Sequence, residues 1–224
     1  RTMSDKIPVV ILGAGGYAAI VHEILSSRAD VEILGCTDKA LGISERVFGD
    51  GVSVKILGDD TILPDLAEQH PGLHVVFALG PELIDVRAKL IHVLEREGIP
   101  ALTAIHPSAV ISPMAKISTG TVVRGGAVVG ARNTIGVFCV INLAASIDHD
   151  TTLGTNVFLG QGAHISSYVH LHDNVMIEMG VSVNNHVAVG AGAHITGGSF
   201  VNTDVPEHTV VSGVPARVVR SIES

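Results

Sequence analysis

Residues 129–147 read VGARNTIGVFCVINLAASI, with an aliphatic residue at every sixth position of the stretch. The spacing extends without an insertion from Ile105 to Val201, and every position in this series is Ile, Leu or Val. A second series lies four positions after each aliphatic residue. Its members are small or β-branched almost throughout, with Asn133 as the polar exception. Glycine often follows the aliphatic residue directly.

A period of six fits neither an amphipathic helix nor a long β-strand. It is typical of short flat strands joined by tight turns, each turn making the same side-chain demands. We therefore predict a parallel β-helix over residues 105–224, in which the aliphatic residue points into a narrow prism and the small one permits the bend at the corner. Three hexads would close one triangular coil, with coils about 4.8 Å apart. Chance periodicity in a sheet rich in Val and Gly is the alternative, and the unbroken phase argues against it.

The residues before the repeat alternate between apolar runs and helical stretches. Residues 7–12 form a β-branched run, and a glycine-rich turn and a helical pattern follow. A second apolar run covers residues 31–36 and a third covers residues 74–79, before an amphipathic helix at about residues 83–97. This order corresponds to half of a doubly wound nucleotide-binding sheet. We predict an α/β domain of the Rossmann-like type over residues 1–104, followed by the all-β helix.

The glycine-rich turn matches a dinucleotide-binding fingerprint. Gly13 begins the pattern G-x-G-x-x-A, Ala18 closes it, and Asp38 follows at the distance where the fingerprint places an acidic residue. NAD is disfavoured because the roughly 100 residues before the repeat hold one mononucleotide half and no visible second half. A nucleotide diphosphate at the turn is the favoured interpretation, and a purely structural tight turn is the alternative. The candidate substrate-binding residues are Gly13, Gly15, Gly16, Tyr17, Asp38 and Gly80.

Composition and charge argue against several classes of function. The net charge is −8 and the pI is near 5.8, whereas a nucleic-acid or anionic-membrane partner requires a basic face. No apolar run reaches the roughly 18–20 residues of a membrane span, and nothing resembles a signal peptide. Cys36 and Cys139 lie far apart without a metal-binding spacing, so we expect reduced thiols and a cytoplasmic protein.

His149 stands apart from the other histidines because it lies between Asp148 and Asp150, at a hexad position where a side chain can leave the prism. A neighbouring carboxylate fixes the imidazole tautomer and stabilises its protonated form, as a general base near pH 7 requires. A surface ion pair is the alternative interpretation. Three histidines recur at the last position of their hexads, as solvated or subunit-contact residues would, without a metal-binding spacing. They are His164, His170 and His194.

Four features occur in one order along the chain. A small domain with a Gly-x-Gly-Gly turn comes first, then hexapeptide coils, then I-N-x(5)-D-H-D at residues 141–150, and finally Gly213-Val214-Pro215-Ala216-Arg217. Over its whole length the chain thereby resembles the bacterial sugar O/N-acetyltransferases, a family that includes nucleotide-aminosugar N-acetyltransferases and sialic acid O-acetyltransferases. The resemblance implies a left-handed β-helix, acetyl-CoA as co-substrate, no metal, and a homotrimer with acetyl-CoA between subunits.

The implied reaction is direct transfer of acetyl from acetyl-CoA to the 4-amino group of a nucleotide-linked 4-amino-4,6-dideoxy sugar, for surface polysaccharide or glycoprotein glycans. The nucleotide would be UDP or GDP, with a bacillosamine precursor or perosamine as the sugar, and dTDP stays open. A sialic-acid-type O-acetyltransferase is the alternative within the class. A β-helix scaffold or a carbonic-anhydrase-like protein is the alternative outside it.

The resemblance also implies that His149 is the general base. We expect Asp150 to orient the imidazole, and Asn142, on the preceding hexad, to hydrogen-bond the substrate or the base. Ser167 lies one full coil, or three hexads, after His149. The two should therefore stack, and the backbone N–H of Ser167 is the candidate donor to the oxyanion of the tetrahedral intermediate.

Two positions depart from the family pattern. Tyr17 stands where a histidine commonly follows the glycine turn, which bears on the sugar-nucleotide contacts. Phe158 stands where many members carry a second histidine that contacts the acyl donor. The other candidates for acetyl-CoA binding are Gly197, which would let the backbone approach the pantetheine arm, and Arg217 and Arg220, which would meet the phosphates. Solvated charges on a terminal tail are the alternative for the two arginines.

Overall fold

The computed structural model describes residues 6–49 and 51–222. The chain divides into two compact units, residues 1–104 and residues 105–224. No helix in the described part of the chain is long and apolar enough to cross a membrane.

In its described residues, 6–49 and 51–104, the first unit contains a five-stranded sheet and three α-helices. Its strands are β1 (Ile7–Leu12), β2 (Val31–Thr37), β3 (Ser44–Gly49), β4 (Val52–Gly58) and β5 (His74–Phe77). Its helices are α1 (Gly16–Ser26), α2 (Leu63–Gln69) and α3 (Ile84–Glu97), and short 3-10 turns cover Asp60–Ile62 and Pro81–Leu83. The strand order is β3-β4-β2-β1-β5, and β1 pairs in parallel with both β2 and β5.

The central strand β1 forms the core of this unit because Val9, Val10, Ile11 and Leu12 are all fully buried. Strand β2 also pairs in parallel with β4, and β4 pairs antiparallel with β3. The predicted α/β class is confirmed. The hairpin of β3 and β4 and the helix α2 were not predicted. Every side chain of β3 is exposed or half-buried, so this edge strand carries no alternating apolar signal that the sequence could have displayed.

The second unit is a left-handed parallel β-helix made of very short strands. Its strands are β6 (Ala104–Ile105), β7 (Val110–Ile111), β8 (Lys116–Ile117), β9 (Val122–Val123), β10 (Val128–Val129), β11 (Thr134–Ile135), β12 (Val140–Ile141), β13 (Ser146–Ile147), β14 (Thr152–Leu153), β15 (Phe158–Leu159), β16 (His164–Ile165), β17 (His170–Leu171), β18 (Met176–Ile177), β19 (Ser182–Val183), β20 (Ala188–Val189), β21 (His194–Ile195), β22 (Phe200–Val201), β23 (Thr209–Gly213) and β24 (Ala216–Ser221).

From β6 to β19, each two-residue strand pairs with the strand three hexads later, so three hexads make one coil. Ile147, for example, pairs with Val129 on one side and Ile165 on the other. Three parallel sheets result, and the last hairpin, β23 and β24, extends one of them. The predicted hexapeptide β-helix and its three-hexad coil are confirmed.

The aliphatic series and the small series together fill the prism. Their members from Val123 to Ile195 are buried, and Cys139 is fully enclosed among them, as its position in the small series predicts. Aliphatic side chains in the earliest hexads are less covered, for example Ile111 and Ile117.

The bend of each corner lies one residue earlier than the sequence pattern suggested. From Arg132 to His186, the third residue after the aliphatic one adopts the left-handed conformation, with φ between 54° and 59° wherever it is not glycine. These residues are Arg132, Phe138, Ala144, Asp150, Asn156, Tyr168, Asn174 and His186. The small fourth residue then points inward behind the bend.

The glycines that directly follow an aliphatic residue are required for a different reason, which is close contact with the next coil. A Cβ atom on Gly136 would overlap the carbonyl oxygen of Gly154 in the next coil, and one on Gly130 would lie 2.5 Å from that of Asp148. The backbone of the next coil therefore passes too close for any side chain at these positions.

Gly136→Ala should destabilise the β-helix by about 3 kcal/mol, the upper end of overpacking costs, because the new methyl group meets backbone that cannot move aside. Gly126→Ala is the matched control. Gly126 is left-handed but its Cβ position is open, and Ala144 occupies the equivalent place one coil later. We expect a cost of about 1 kcal/mol there. Denaturant or thermal unfolding of both variants checks the difference, and equal losses would contradict it.

Candidate active site

His149 lies in the turn between β13 and β14, and its side chain is 40% exposed. Its Nδ1 is 2.7 Å from Oδ2 of Asp150. An ionised carboxylate only accepts hydrogen bonds, so Nδ1 carries the proton and donates it to Asp150. The unprotonated nitrogen of the neutral ring is then Nε2, which can accept a proton from a substrate.

Asp150 is held in turn by Arg132 from the preceding coil. Nε of Arg132 donates to Oδ1 of Asp150 at 2.8 Å and Nη2 donates to Oδ2 at 2.5 Å, a bidentate contact. The hydrogen bonds from Arg132, and secondly that from His149, lower the pKa of Asp150 to about 2. Asp150 is therefore a carboxylate throughout the range in which an imidazole exchanges protons.

The repeat of three hexads brings four turn residues into one column at this corner: Arg132, Asp150, Tyr168 and His186, all left-handed. Tyr168 lies edge-on to His149, with ring centroids 5.4 Å apart. It stacks on His186 at 4.9 Å with the rings nearly parallel. The arginine, the tyrosine and this histidine were not predicted as site residues from the sequence. Counting one coil backwards and two coils forwards from Asp150 would have found all three.

Ser167 occupies the position one coil after His149, as predicted, and is half-buried. The backbone N–H of Tyr168 donates to the carbonyl of His149 at 3.2 Å, which fixes the two turns against each other. Among the described residues none accepts a hydrogen bond from the Ser167 backbone N–H. The structure thus brings Ser167 to His149, while its role as an oxyanion donor stays a prediction.

The glycine turn of the first unit joins the end of β1 to α1. Gly13 is left-handed at φ 107°, and a Cβ there would lie 2.9 Å from the carbonyl oxygen of Ala78, so the fold itself requires this glycine. Gly15 and Gly16 are exposed and nothing lies within 4 Å of their Cβ positions. Helix α1 has no acidic residue in its first turn and no side-chain cap. Its N-terminal N–H groups can therefore meet an anion.

Asp38 lies beside this turn, as the fingerprint predicts. Its Oδ2 accepts a hydrogen bond from the Ala14 N–H at 3.2 Å, and its Oδ1 accepts one from the Ala40 N–H at 2.8 Å. Gly80 lies before the turn Pro81–Leu83, and a Cβ there would meet only the carboxylate of Glu82, the end of a flexible side chain, so its role in substrate binding stays a prediction. Tyr17 is half-buried in the first turn of α1.

Comparison with known proteins identifies the family. Residues 8–94 match the model described as the PglD N-terminal domain. A mutant of perosamine N-acetyltransferase from Caulobacter crescentus, solved with CoA and GDP-perosamine, is 32% identical with a TM-score of 0.86, over 96% of this chain and 97% of that one. The acetyltransferase domain of PglB from Neisseria gonorrhoeae, solved with acetyl coenzyme A, is 27% identical with a TM-score of 0.85, over 96% and 100%.

The chain belongs to the bacterial sugar N-acetyltransferase family. The predicted resemblance is thereby confirmed. A curated member, UDP-N-acetylbacillosamine N-acetyltransferase from Bacillus subtilis, is 29% identical over 115 residues. That match covers 51% of this chain and 50% of the relative, so it spans about half the length of each.

One residue of the family motif lies away from the histidine. Asn142 follows β12 and so belongs to the turn before β13, whereas His149 belongs to the turn after it, at another corner of the prism. Asn142 is fully buried, its Oδ1 accepts from Nη1 of Arg124 at 2.8 Å, and its Nδ2 donates to the carbonyl of Leu159 at 2.7 Å. Both ends of its amide thus have a partner within the chain, and its contact with the base or the substrate stays a prediction.

The residues assigned to acetyl-CoA are not gathered in one place. Phe158 lies on β15 and is 3% exposed, so its side chain offers no surface to a ligand and the assignment is not supported. Gly197 is exposed, but its N–H donates to Oε2 of Glu178 at 2.7 Å. Arg217 and Arg220 are exposed on β24, and neither forms an ion pair within the described ranges.

The histidines at the last hexad positions make local contacts. His164 bonds Ser146 at 2.8 Å, His170 lies against His172, and His194 donates to Glu178 at 2.7 Å. Burial lowers the pKa of His170. No three His, Cys, Asp or Glu side chains in the part of the chain that the structure describes are grouped to hold a metal ion.

Removing Arg132 should raise the pKa of Asp150. The contacts of the carboxylate stabilise the fold above the pKa of an unfolded aspartate, about 3.9, and are lost as the pH falls through the depressed folded value. In Arg132→Met the hydrogen bonds from Arg132, the largest cause of the lowered pKa of Asp150, are gone. The titration midpoint of the Asp150 carboxyl should therefore move up toward the value of an unfolded aspartate. Carbon NMR of the Asp150 carboxyl measures it. Arg28→Met, which breaks the Arg28–Asp30 pair, is the control. An unchanged midpoint in Arg132→Met would contradict the assignment.

Proposed function

We propose that this chain is an acetyl-CoA-dependent N-acetyltransferase acting on the 4-amino group of a nucleotide-linked 4-amino-4,6-dideoxy sugar. The observation that carries the proposal is the chain of contacts from Arg132 through Asp150 to His149, which leaves Nε2 of the imidazole to accept a proton. The names of the relatives add to it, because they include enzymes of perosamine and of N-acetylbacillosamine.

In the proposed reaction the sugar amine attacks the thioester carbonyl of acetyl-CoA and forms the new C–N bond. Nε2 of His149 removes the proton from the attacking nitrogen, and Asp150 stabilises the resulting imidazolium. The tetrahedral intermediate then expels the CoA thiolate, which takes the proton from the imidazolium, so that the histidine is regenerated. The N–H of Ser167 is the proposed donor to the oxyanion.

An acyl-enzyme is not needed and the cysteines do not favour one. Cys36 and Cys139 are buried thiols that form no disulfide. Burial, as the largest cause, raises the pKa of Cys36 to about 11, so its thiolate is scarce at neutral pH. Reduced thiols in both places also favour the cytoplasm as the compartment in which we propose that the protein acts.

The acyl donor is proposed to lie along an exposed corner of the β-helix between subunits of a homotrimer. The corner that contains Gly197 also carries Leu143 and Met179, whose apolar side chains are exposed. A pantetheine arm could cover them. Arg217 and Arg220 remain the proposed contacts of the phosphates, since both carry an exposed guanidinium that can bind phosphate in the bidentate mode.

The first unit is proposed to bind the nucleotide diphosphate at the turn before α1. Gly15 and Gly16 support this, because the fold leaves the space above them open and so does not itself demand glycine. Asp38 is proposed to meet the ribose or the base.

His149→Ala should lower kcat/KM by about 10²–10⁴-fold, the usual contribution of a general base. The assay measures release of the CoA thiol with an amino sugar as acceptor. His92→Ala, on the exposed face of α3, is the control and should keep full activity. A loss below about tenfold in His149→Ala would remove the histidine from the proposed mechanism. Faster transfer to a sialic-acid-like hydroxyl acceptor than to any amino sugar would instead favour the O-acetyltransferase.

Gly15→Thr should abolish binding of the nucleotide sugar while leaving the fold intact. Threonine and glycine are about equal as residues before a helix, and Gly15 has extended backbone with φ −76°. A panel of UDP-, GDP- and dTDP-linked amino sugars is tested by thermal shift, since a ligand at about 100 times its Kd stabilises the native state by about 2.7 kcal/mol. The control is Gly49→Thr on the edge strand β3, where the Cβ position is also open. A full shift in Gly15→Thr would place the nucleotide elsewhere.

A further inference from the structure

The interior of the β-helix contains a buried amide directly behind the turn that carries His149. The small inward series is almost entirely Ala, Val, Thr or Cys, yet Asn133 belongs to it and is only 1% exposed. A buried amide costs stability unless its hydrogen-bonding groups are satisfied. Its presence in an apolar prism therefore needs a reason.

The hydrogen bonds of Asn133 supply that reason. Its Nδ2 donates to the carbonyl of Gly130 at 3.0 Å and to the carbonyl of Asp148 at 2.5 Å. Its Oδ1 accepts from the backbone N–H of Thr151 at 2.8 Å. Asp148 and Thr151 are the residues immediately before and after the His149–Asp150 pair. One side chain thus holds both ends of the two-residue segment that contains the proposed base and its carboxylate.

Thr151 makes the same kind of contact one coil later. Its hydroxyl donates to the carbonyl of Ser166 at 2.9 Å and accepts from the N–H of Val169 at 3.1 Å. These groups flank Ser167 and Tyr168, the residues that stack on the His149 turn. Two successive inward polar residues therefore brace the two turns from which the proposed base and oxyanion donor project.

A third brace occurs at another corner, away from His149. The hydroxyl of Thr121 donates to the carbonyl of Gly136 at 2.9 Å and accepts from the N–H of Cys139 at 3.1 Å. The carbonyl lies 15 residues after Thr121 and the N–H lies 18 residues after it. The groups contacted by Asn133 and Thr151 have the same two separations. The brace is thus a repeatable device of this β-helix, and a hydroxyl can replace the amide in it.

We infer that Asn133 is a positioning residue for His149, fixing the turn from inside the prism so that Nε2 points at the acceptor amine. The inference rests on the proposed function of His149. Asn133 acts through backbone and touches neither substrate nor reacting atoms. Its effect should be on the chemical step, because a displacement of about 1 Å in a catalytic group costs up to about 10²-fold in rate, whereas ligand sites elsewhere on the chain are left in place.

Asn133→Val is the test variant. Valine is the residue at the equivalent interior positions Val169 and Val187 of the same corner, so the prism accepts its shape. Thr121→Val is the matched control, since it deletes one carbonyl contact and one N–H contact of the same type where no histidine is held. Asn133→Thr is the rescue variant, because Thr121 and Thr151 show that a threonine can make the brace.

We expect Asn133→Val to lose at least about tenfold in kcat, with the KM for both substrates within about twofold of wild type. Thr121→Val should keep its kcat within about twofold of wild type. Its melting temperature should nevertheless fall by about as much as that of Asn133→Val. Asn133→Thr should recover most of the lost kcat. Equal kcat in Asn133→Val and Thr121→Val, or a loss confined to KM, would overturn the positioning role.

The His149→Ala variant separates this result from failure of the proposed function. If His149→Ala is inactive while Asn133→Val behaves like Thr121→Val, the base assignment stands and only the positioning role is wrong. If His149→Ala retains activity, the proposed function of the histidine fails first, whatever Asn133 does.

Discussion

The parallel hydrogen bonding of each coil to the next, with a fixed offset of three hexads, is the constraint on which the second unit depends. Strands of two residues form too few hydrogen bonds to persist alone. They are stable here because every strand is one rung of a ladder and because the aliphatic residue of each hexad fills the prism between the ladders. An insertion of one residue would shift every later side chain to the wrong face.

The same offset builds the candidate active site. Residues that are far apart in the sequence become neighbours once per coil, so Arg132 reaches Asp150 and Tyr168 reaches His149. The site is therefore a column of turn residues rather than a loop, and its geometry is set by the ladder. The electrostatics follow from that column, because the guanidinium keeps the Asp150 carboxyl ionised and the carboxylate then sets the tautomer of the imidazole.

Much of this could be predicted from the sequence, and the omissions have physical causes. The period of six predicted the β-helix, and the coil length placed Ser167 beside His149. The role of Asn142 stays a prediction, because closeness in sequence does not imply contact here: residues one hexad apart lie at different corners, while residues three hexads apart touch. The column residue Arg132 was missed because the coil length was counted forwards from His149 to Ser167 and not backwards from Asp150. The pattern could not show that Phe158 is buried, or that the fold requires glycine at Gly13 and not at Gly15. Both properties depend on neighbours in the tertiary structure.

The left-handed backbone of Asp150 illustrates how the fold and the site are related. A non-glycine residue in this conformation often marks strain stored at a functional site. In this β-helix the same conformation recurs at Asn156 and Asn174, on turns that hold no candidate catalytic group. The strain at Asp150 therefore belongs to the corner and not to the chemistry. What distinguishes the His149 corner is the pair of inward polar residues, Asn133 and Thr151. Each forms hydrogen bonds to the backbone on both sides of a turn and so holds the two ends of that turn in place. The specialisation of this turn lies inside the prism, where a ligand cannot reach.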